Sequence, residues 1–485
     1  MGGDARIACE PASGVNRYGC PPRPQPGVLA YGSSTASPIA SAGFAAAEAL
    51  HRRLGYADSI PSARTNPTRE FDRVRAELAG LCGVAHQPET GIVFAASGTD
   101  IHLIVAQLAA SGRLAGGGAA APMLVVMTEA TETGNGVPAA LSGRHHNERA
   151  ALVGAVHANE FLAGLTPTAI AEVPSRTLEG FPISAAAIDA QVEALVSRAV
   201  GAGQRVLLIV GDVSKTGLLA PTPACALKLL HRFSTGVDVL IDACQFRLVP
   251  ATLCAYLDCG FLVALTGSKF VTGPAFSGAL LIPASLARKW RDCPLPAALA
   301  AYSARADWPQ GWAARESLPQ AANLGLLLRW EAALAAMKEF SLLAGANVAT
   351  FLRTFASAVQ ARLARDPSFE SLAAPPLDRS PVAGGGTWDH IPTIFPFLLR
   401  RPDFLSPEAT GMVYKALLAR HIQIGQPVPC GRRQERPVSA LRLCTSMRLA
   451  VDALSPQGRG TNIVIAETLA VLDQTAQLAR KPDVL

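Results

Sequence analysis

Six short runs at 91–96, 123–128, 206–211, 237–242, 261–266 and 278–282 are apolar on both faces. Helix-like segments separate them at 99–112, 184–200 and 223–233. A strand with two apolar faces must be covered on both sides, and strands alternating with helices meet that demand in a mostly parallel sheet. The predicted fold is therefore α/β, with a mostly parallel central sheet flanked by helices. The rhythm changes near the end of the chain: strand 392–400, helix 406–420, strands 421–428 and 440–446, helix 460–480. That stretch reads as a smaller C-terminal α+β domain.

The segments between these regions set the expected organisation. Residues 1–30 are rich in Pro, Gly and Arg and read as a poorly ordered N-terminal arm. A large domain spans 31–320, with 31–83 belonging to it, to the small domain or to the rim of a site. A long Ala/Leu helix over 321–365, broken near Gly345, connects to the small domain at 366–485. At 485 residues, 49% apolar and 16% charged, the chain can bury a large core. The net charge of +6 comes from scattered arginines, so no basic face for nucleic acid is expected. No apolar stretch reaches the roughly 18 residues of a membrane span before Lys215, Asp258 or Arg305 interrupts it. The N-terminus has no signal-like apolar region, and a cytoplasmic location is expected. The ten cysteines form no CxxC pair and no zinc spacing with histidine, so free thiols and no metal are expected.

Three features carry chemistry. Phe94-Ala-Ala-Ser97-Gly98-Thr99-Asp100 ends a strand at the start of an apolar helix. Free N–H groups and the helix dipole make such a terminus an anion site, although the same motif also serves as a plain N-cap. Asp242, in Val239-Leu-Ile-Asp-Ala-Cys-Gln245, ends a buried strand, where a carboxylate needs a partner or water. Lys269 follows an apolar strand in Thr266-Gly-Ser268-Lys-Phe-Val-Thr-Gly-Pro. Lysine stands at only seven positions (215, 228, 269, 289, 338, 415 and 481) in an arginine-rich chain. An amine can lose its proton and act as a nucleophile, whereas guanidinium cannot. An anion cradle, a strand-end acid and a lysine in this order describe one ligand. They match pyridoxal 5'-phosphate (PLP) anchored at its phosphate, its ring nitrogen and its aldehyde.

With those residues in view, the chain resembles the fold-type I PLP enzymes, within them the class V aminotransferase and cysteine desulfurase-like group. The resemblance spans roughly 40–475. It is carried by Ser97-Gly-Thr-Asp, Gly211-Asp-Val-Ser214-Lys215-Thr-Gly-Leu-Leu-Ala-Pro221, Asp242-Ala-Cys-Gln245 and Thr266-Gly-Ser-Lys269 with Ser277-Gly-Ala-Leu. It implies that Ser97, Gly98, Thr99, Ser214, Thr266 and Ser268 serve the cofactor. It further implies that Asp242 meets the ring nitrogen, Gln245 the phenolic oxygen, and Lys269 is the catalytic lysine. Arg442, in Ala440-Leu-Arg-Leu-Cys-Thr-Ser, is implied for the substrate carboxylate, with Arg432 and Arg448 as alternatives. Arg64 is a second substrate-binding candidate.

The departures from the family concern the reaction. Where the family stacks a histidine on the ring, Thr128-Glu-Ala-Thr-Glu132-Thr133-Gly has none, so Glu132 or Thr133 is expected over the ring, with His145 and His146 nearby. Lys215, in a shortened loop, is either a second amine in the site or a solvated lysine. Cys430 sits near the place where some desulfurases carry a reactive cysteine, without the flanking family residues. The implied function is transformation of an amino-acid substrate by an aminotransferase or a lyase or replacement enzyme. A cysteine desulfurase or C–S lyase, and a catalytically silent protein of the same fold, are the alternatives. A homodimer with the site at its interface is also implied.

Overall fold

A computed structural model describes residues 3–16, 18–25, 27–32, 37–55, 66–111 and 122–481. The first strand, β1 (Leu29–Tyr31), belongs to a second sheet treated below. The central sheet holds β2 (Gly91–Ala95), β3 (Met123–Thr128), β4 (Ala169–Val173), β5 (Arg205–Asp212), β6 (Val237–Asp242), β7 (Leu262–Thr266) and β8 (Gly278–Ile282). They lie in the order β2-β8-β7-β6-β5-β3-β4, and a two-residue strand, Leu219–Ala220, pairs with β5. Neighbours from β7 through to β4 are parallel. Only β8 runs antiparallel to both of its neighbours.

Successive strand residues point to opposite faces, and here both faces are core. Val206, Leu208 and Val210 of β5 enter one cluster, and Leu207 and Ile209 enter the other. In β6 the split is Val239 and Ile241 against Leu240, and in β7 it is Val263 and Leu265 against Leu262 and Ala264. Each such side chain, fully buried, contributes about 1.5–3 kcal/mol of transfer free energy. This is why these runs show no polar alternation in sequence.

Helices α1 (Ser41–Arg53) and α2 (Pro67–Leu81) precede the sheet, and α3 (Gly98–Ser111) follows β2. α3 is buried on all sides from Thr99 to Ala109, consistent with its apolar sequence. A short α4 (Val137–Leu141) precedes β4. α5 (Ala185–Gly201) begins where the Ser184 hydroxyl accepts a hydrogen bond from the Ala187 N–H, and it buries Ile188, Val192, Val196 and Ala199 along one stripe. α6 (Pro223–Arg232), α7 (Pro250–Asp258) and α8 (Ala284–Trp290) complete the layers.

The 321–365 helix, expected to break near Gly345, is two helices, α9 (Leu324–Ser341) and α10 (Gly345–Arg365), which meet at 97°. The cause lies in what each buries. α9 packs on α1, α2 and α12 (Met447–Leu454), whereas α10 packs on α12, α13 (Thr461–Arg480) and β9 (Phe369–Ser371). One straight rod cannot serve both sets of partners, and the bend leaves Leu342 exposed. Among the described residues no single helix is long and apolar enough to cross a membrane.

The second sheet has the order β1-β11-β12-β10-β9, with β10 (Ile394–Arg401), β11 (Ile422–Arg433) and β12 (Arg436–Cys444); α11 (Pro407–Leu418) packs on it. β1 joins it as a parallel edge strand, Leu29 opposite Ile422 and Tyr31 opposite Ile424. The N-terminal segment therefore differs from the expected loose arm. Its Gly14, Gly19 and Gly27 sit in turns with positive φ. Asp4, Tyr18 and Cys20 are buried, and Gln423 Nε2 donates to the Tyr18 carbonyl at 3.3 Å.

Candidate active site

Parallel strands leave their carboxyl ends open to a ligand, and a cavity lies there. It holds about 350 Å³ and is bordered by the ends of β6 and β7, the start of α3, the loop before α4, and β11 and β12. Ser97, Gly98 and Thr99 line it at the α3 N-terminus, whose first N–H groups have no carbonyl one turn back. Gly98 is needed for packing as well: a Cβ there would lie 2.7 Å from Cys244 Sγ. Ser97 Oγ donates to Asp100 Oδ2 at 2.8 Å, and Asp100 Oδ1 lies 2.9 Å from His146 Nε2.

Asp242 ends β6 on the cavity wall and accepts from the Cys244 N–H at 3.1 Å. His102, one turn along α3, faces Asp242 Oδ2 at 3.4 Å through Nε2, while its Nδ1 lies 2.7 Å from the Gly98 carbonyl. Burial would push the Asp242 carboxyl up. The neighbouring His102 ring and the charge of Lys269 more than reverse this, and hold it well below the usual carboxylate range. The acid is therefore kept ionised and ready to pair with a cationic or N–H partner.

Lys269 stands just past β7, half-buried and on the wall of the same cavity. Its loop is fixed by backbone and by close approach. Gly267 N–H donates to Ser277 O at 2.8 Å, and a Cβ on Gly267 would lie 2.6 Å from Ala333 Cβ on α9. Thr266 Oγ1 donates to Cys244 O at 2.6 Å, and Ser37 Oγ donates to Ser268 O at 2.5 Å. Thr266, Ser268 and the buried Gln245 also line the cavity.

Arg442, on β12, completes the opposite wall. It is buried and donates to the carbonyls of Lys215 (3.3 Å) and Gln426 (3.0 Å), while its Nε has no hydrogen-bond partner among the described residues. Burial lowers its guanidinium from the ordinary value. Of the two alternatives, Arg432 is exposed, and Arg448 donates to Pro38 O away from the cavity. Arg64 lies outside the described residues.

Two of the residues expected at the cofactor, Glu132 and Ser214, are not on the cavity wall. The Glu132 carboxylate is enclosed by Arg176 Nε (2.9 Å), Ser214 Oγ (2.6 Å) and Thr216 Oγ1 and N–H (2.6 and 3.1 Å). Burial alone would raise its pKa, but the Arg176 charge and these hydroxyls lower it instead, so the charge is spent on holding the loop together. Ser214 is consumed by the same knot and also accepts from the Leu218 N–H. Thr133 does line the cavity, and its buried Oγ1 has no partner among the described residues. Of the two nearby histidines only His146 reaches the wall, whereas His145 pairs with the Tyr302 hydroxyl at 2.7 Å. Lys215 is half-buried on the border of the cavity, and its Nζ donates to Thr131 O at 3.1 Å. Cys430 is buried in an apolar cluster with Leu372, Leu398, Val438 and Ala440, off the cavity wall.

The residues missed from sequence are His102, and Arg6 and Tyr18 of the N-terminal segment. Arg6 lines the cavity, is held by Asp4 at 2.5 Å, and lies 5.1 Å from the centre of the Phe276 ring. His102 was findable, because the i to i+4 step from Gly98 puts it on the same helix face. Arg6 carried no local signal.

No protein-family model matches the chain, and no curated protein matches it in sequence. Its fold does match solved structures. The cysteine desulfurase CsdA from Escherichia coli aligns over 92% of this chain and 94% of its own, with TM-score 0.53 and 16% identity. A NifS-like protein from Rickettsia africae aligns over 93% and 99%, with TM-score 0.54 and 11% identity. Oryza sativa TDC, solved with PLP, aligns over 96% and 85%, with TM-score 0.55 and 13% identity. The α/β architecture expected from sequence is thus the one these structures share.

Proposed function

We propose that this chain is a PLP-dependent enzyme that transforms an amino acid, as an aminotransferase or as a lyase or replacement enzyme, and that it works as a homodimer. The observation that carries the reading is the convergence of Ser97-Gly98-Thr99, Asp242, Gln245 and Lys269 on one cavity of about 350 Å³, within the range of cofactor sites. The fit is supported by buried polar atoms on that wall, Thr133 Oγ1 and Arg442 Nε, that have no hydrogen-bond partner among the described residues. The solved structures of the same fold include one with PLP.

The residue roles follow from chemistry. The α3 terminus with Ser97 and Thr99 would hold the phosphate, Asp242 the proton of the ring nitrogen, and Gln245 the phenolic oxygen. Lys269 would supply the amine that attaches the cofactor. Bound PLP supplies an electron sink that stabilises charge left at an amino-acid carbon. Arg442 would orient the substrate carboxylate, and the Lys269 amine would accept and return a proton at that carbon. The ionised state of Asp242 matters here, because a neutral acid would not hold the ring nitrogen protonated.

Borohydride reduction of PLP-loaded protein, followed by peptide mapping, tests the reading. The cofactor mass is expected on Lys269; finding it on Lys215, or on no lysine, would sink the assignment. Sulfur transfer through Cys430 is not favoured, since burial pushes that thiol up and hides it from the cavity. Cys430→Ser is accordingly expected to leave turnover and cofactor absorbance unchanged, and its inactivity in a folded, loaded protein would revive the desulfurase reading.

A further inference from the structure

The cavity contains more positive charge than one carboxylate balances. Arg442 and Lys215 border it side by side, tied by the bond from Arg442 Nη1 to the Lys215 carbonyl at 3.3 Å. Neither forms an ion pair with an acid among the described residues: Arg442 bonds to carbonyls, and Lys215 Nζ has Thr131 O. The nearest acids are already committed. Both Glu132 oxygens are taken by Arg176, Ser214 and Thr216, and Asp242 faces His102 and the Cys244 N–H. Arg442 is buried and Lys215 half-buried, and a cation withdrawn from water with no anion is costly, so the site as built suits two negative groups on that wall.

We propose that the substrate is an acidic amino acid, whose α-carboxylate is taken by Arg442 and whose side-chain carboxylate is taken by Lys215. The inference rests on the reading of Arg442 given above and adds the substrate class. An ammonium suits the second place because it is a compact point charge with three donors. One of these is used on Thr131 O, which leaves two for a ligand. The Glu132 knot positions it, since the Lys215 N–H donates to the Glu132 carbonyl at 2.9 Å. Burial and the charges of Arg442 and Lys269 push the Lys215 ammonium down to about 8, against the opposing pull of Glu132 and Asp242. A bound carboxylate counters that push, so the pair forms at neutral pH and fails in alkali.

Calorimetric titration of the full-length, PLP-saturated protein with butyrate, succinate and glutarate tests this, with PLP content read separately by absorbance. At about pH 7 one of the two dicarboxylates is expected to bind at least about tenfold more tightly than butyrate. Lys215→Met and Lys215→Gln should remove that preference and leave the butyrate affinity within about twofold of the native value, whereas Lys215→Arg should keep it. The native preference should also shrink on going to about pH 9.5, as the ammonium is lost. Equal binding of butyrate and both dicarboxylates, or a preference that survives in the Met and Gln variants, overturns the proposal. A protein that takes up no PLP yet shows the Lys215-dependent preference would instead overturn the cofactor reading and leave the acidic-ligand site standing.

Discussion

Lys269→Ala is expected to lower turnover at least about a thousandfold, the range of a lost proton-transfer group, and to abolish the visible absorbance of lysine-linked cofactor. The fold should survive. The side chain is half-buried, and its loop is held by the backbone of Gly267 and Ser277 and by Ser37 Oγ on Ser268 O, none of which involves the lysine amine. PLP should still bind, because the α3 terminus and Asp242 are untouched, but it should leave on dialysis far more readily than from the native protein. Lys269→Arg should fail in the same way, since guanidinium keeps the charge but is not a nucleophile. Added methylamine, small enough to enter the truncated space, should restore part of the turnover of Lys269→Ala and none of that of Lys269→Arg. A variant retaining native absorbance and turnover would show that the chemistry runs elsewhere, and Lys215 would be the first residue to suspect.

The central sheet was legible because strands apolar on both faces have few other homes, and the anchors Ser97, Asp242 and Lys269 stand at strand ends where the fold opens. What sequence reading missed was set by non-local partners. Glu132 reads as a residue lying over the ring until Arg176 and Thr216, 44 and 84 positions away, take its carboxylate. Arg6 and β1 are fixed by Phe276 and Ile422, and no local pattern announces such pairings. The break between α9 and α10 was legible at Gly345, but its 97° angle was not, because that depends on the partners each helix meets. Lys215 has two readings in sequence, because loop length alone does not say which way a side chain turns.

Arg379→Met is expected to cost about 3–5 kcal/mol, the range for stripping one partner from a buried ion pair. The Arg379 and Asp212 side chains are 0% and 1% exposed. Arg379 Nε and Nη2 donate to the two Asp212 oxygens at 2.8 and 2.6 Å, its Nη1 donates to Asp389 O at 2.8 Å, and Tyr256 donates to the same carboxylate at 2.7 Å. Burial would lower the guanidinium, and the Asp212 charge more than reverses this. Methionine fills much of the volume and supplies no charge, so Asp212 would keep only the tyrosine hydroxyl. The pair ties the last residue of β5 to the segment leading into β10, and the Ser214–Thr216 loop begins two residues later. Loss of the tie should therefore lower the denaturation midpoint and also loosen Lys215, weakening dicarboxylate binding more than butyrate binding. The double variant Asp212→Asn/Arg379→Met should recover part of the stability, because no orphan charge remains. A single variant within about 1 kcal/mol of the native protein, the scale of an exposed pair, would mean that water reaches Asp212 and that the tie between the two sheets lies elsewhere.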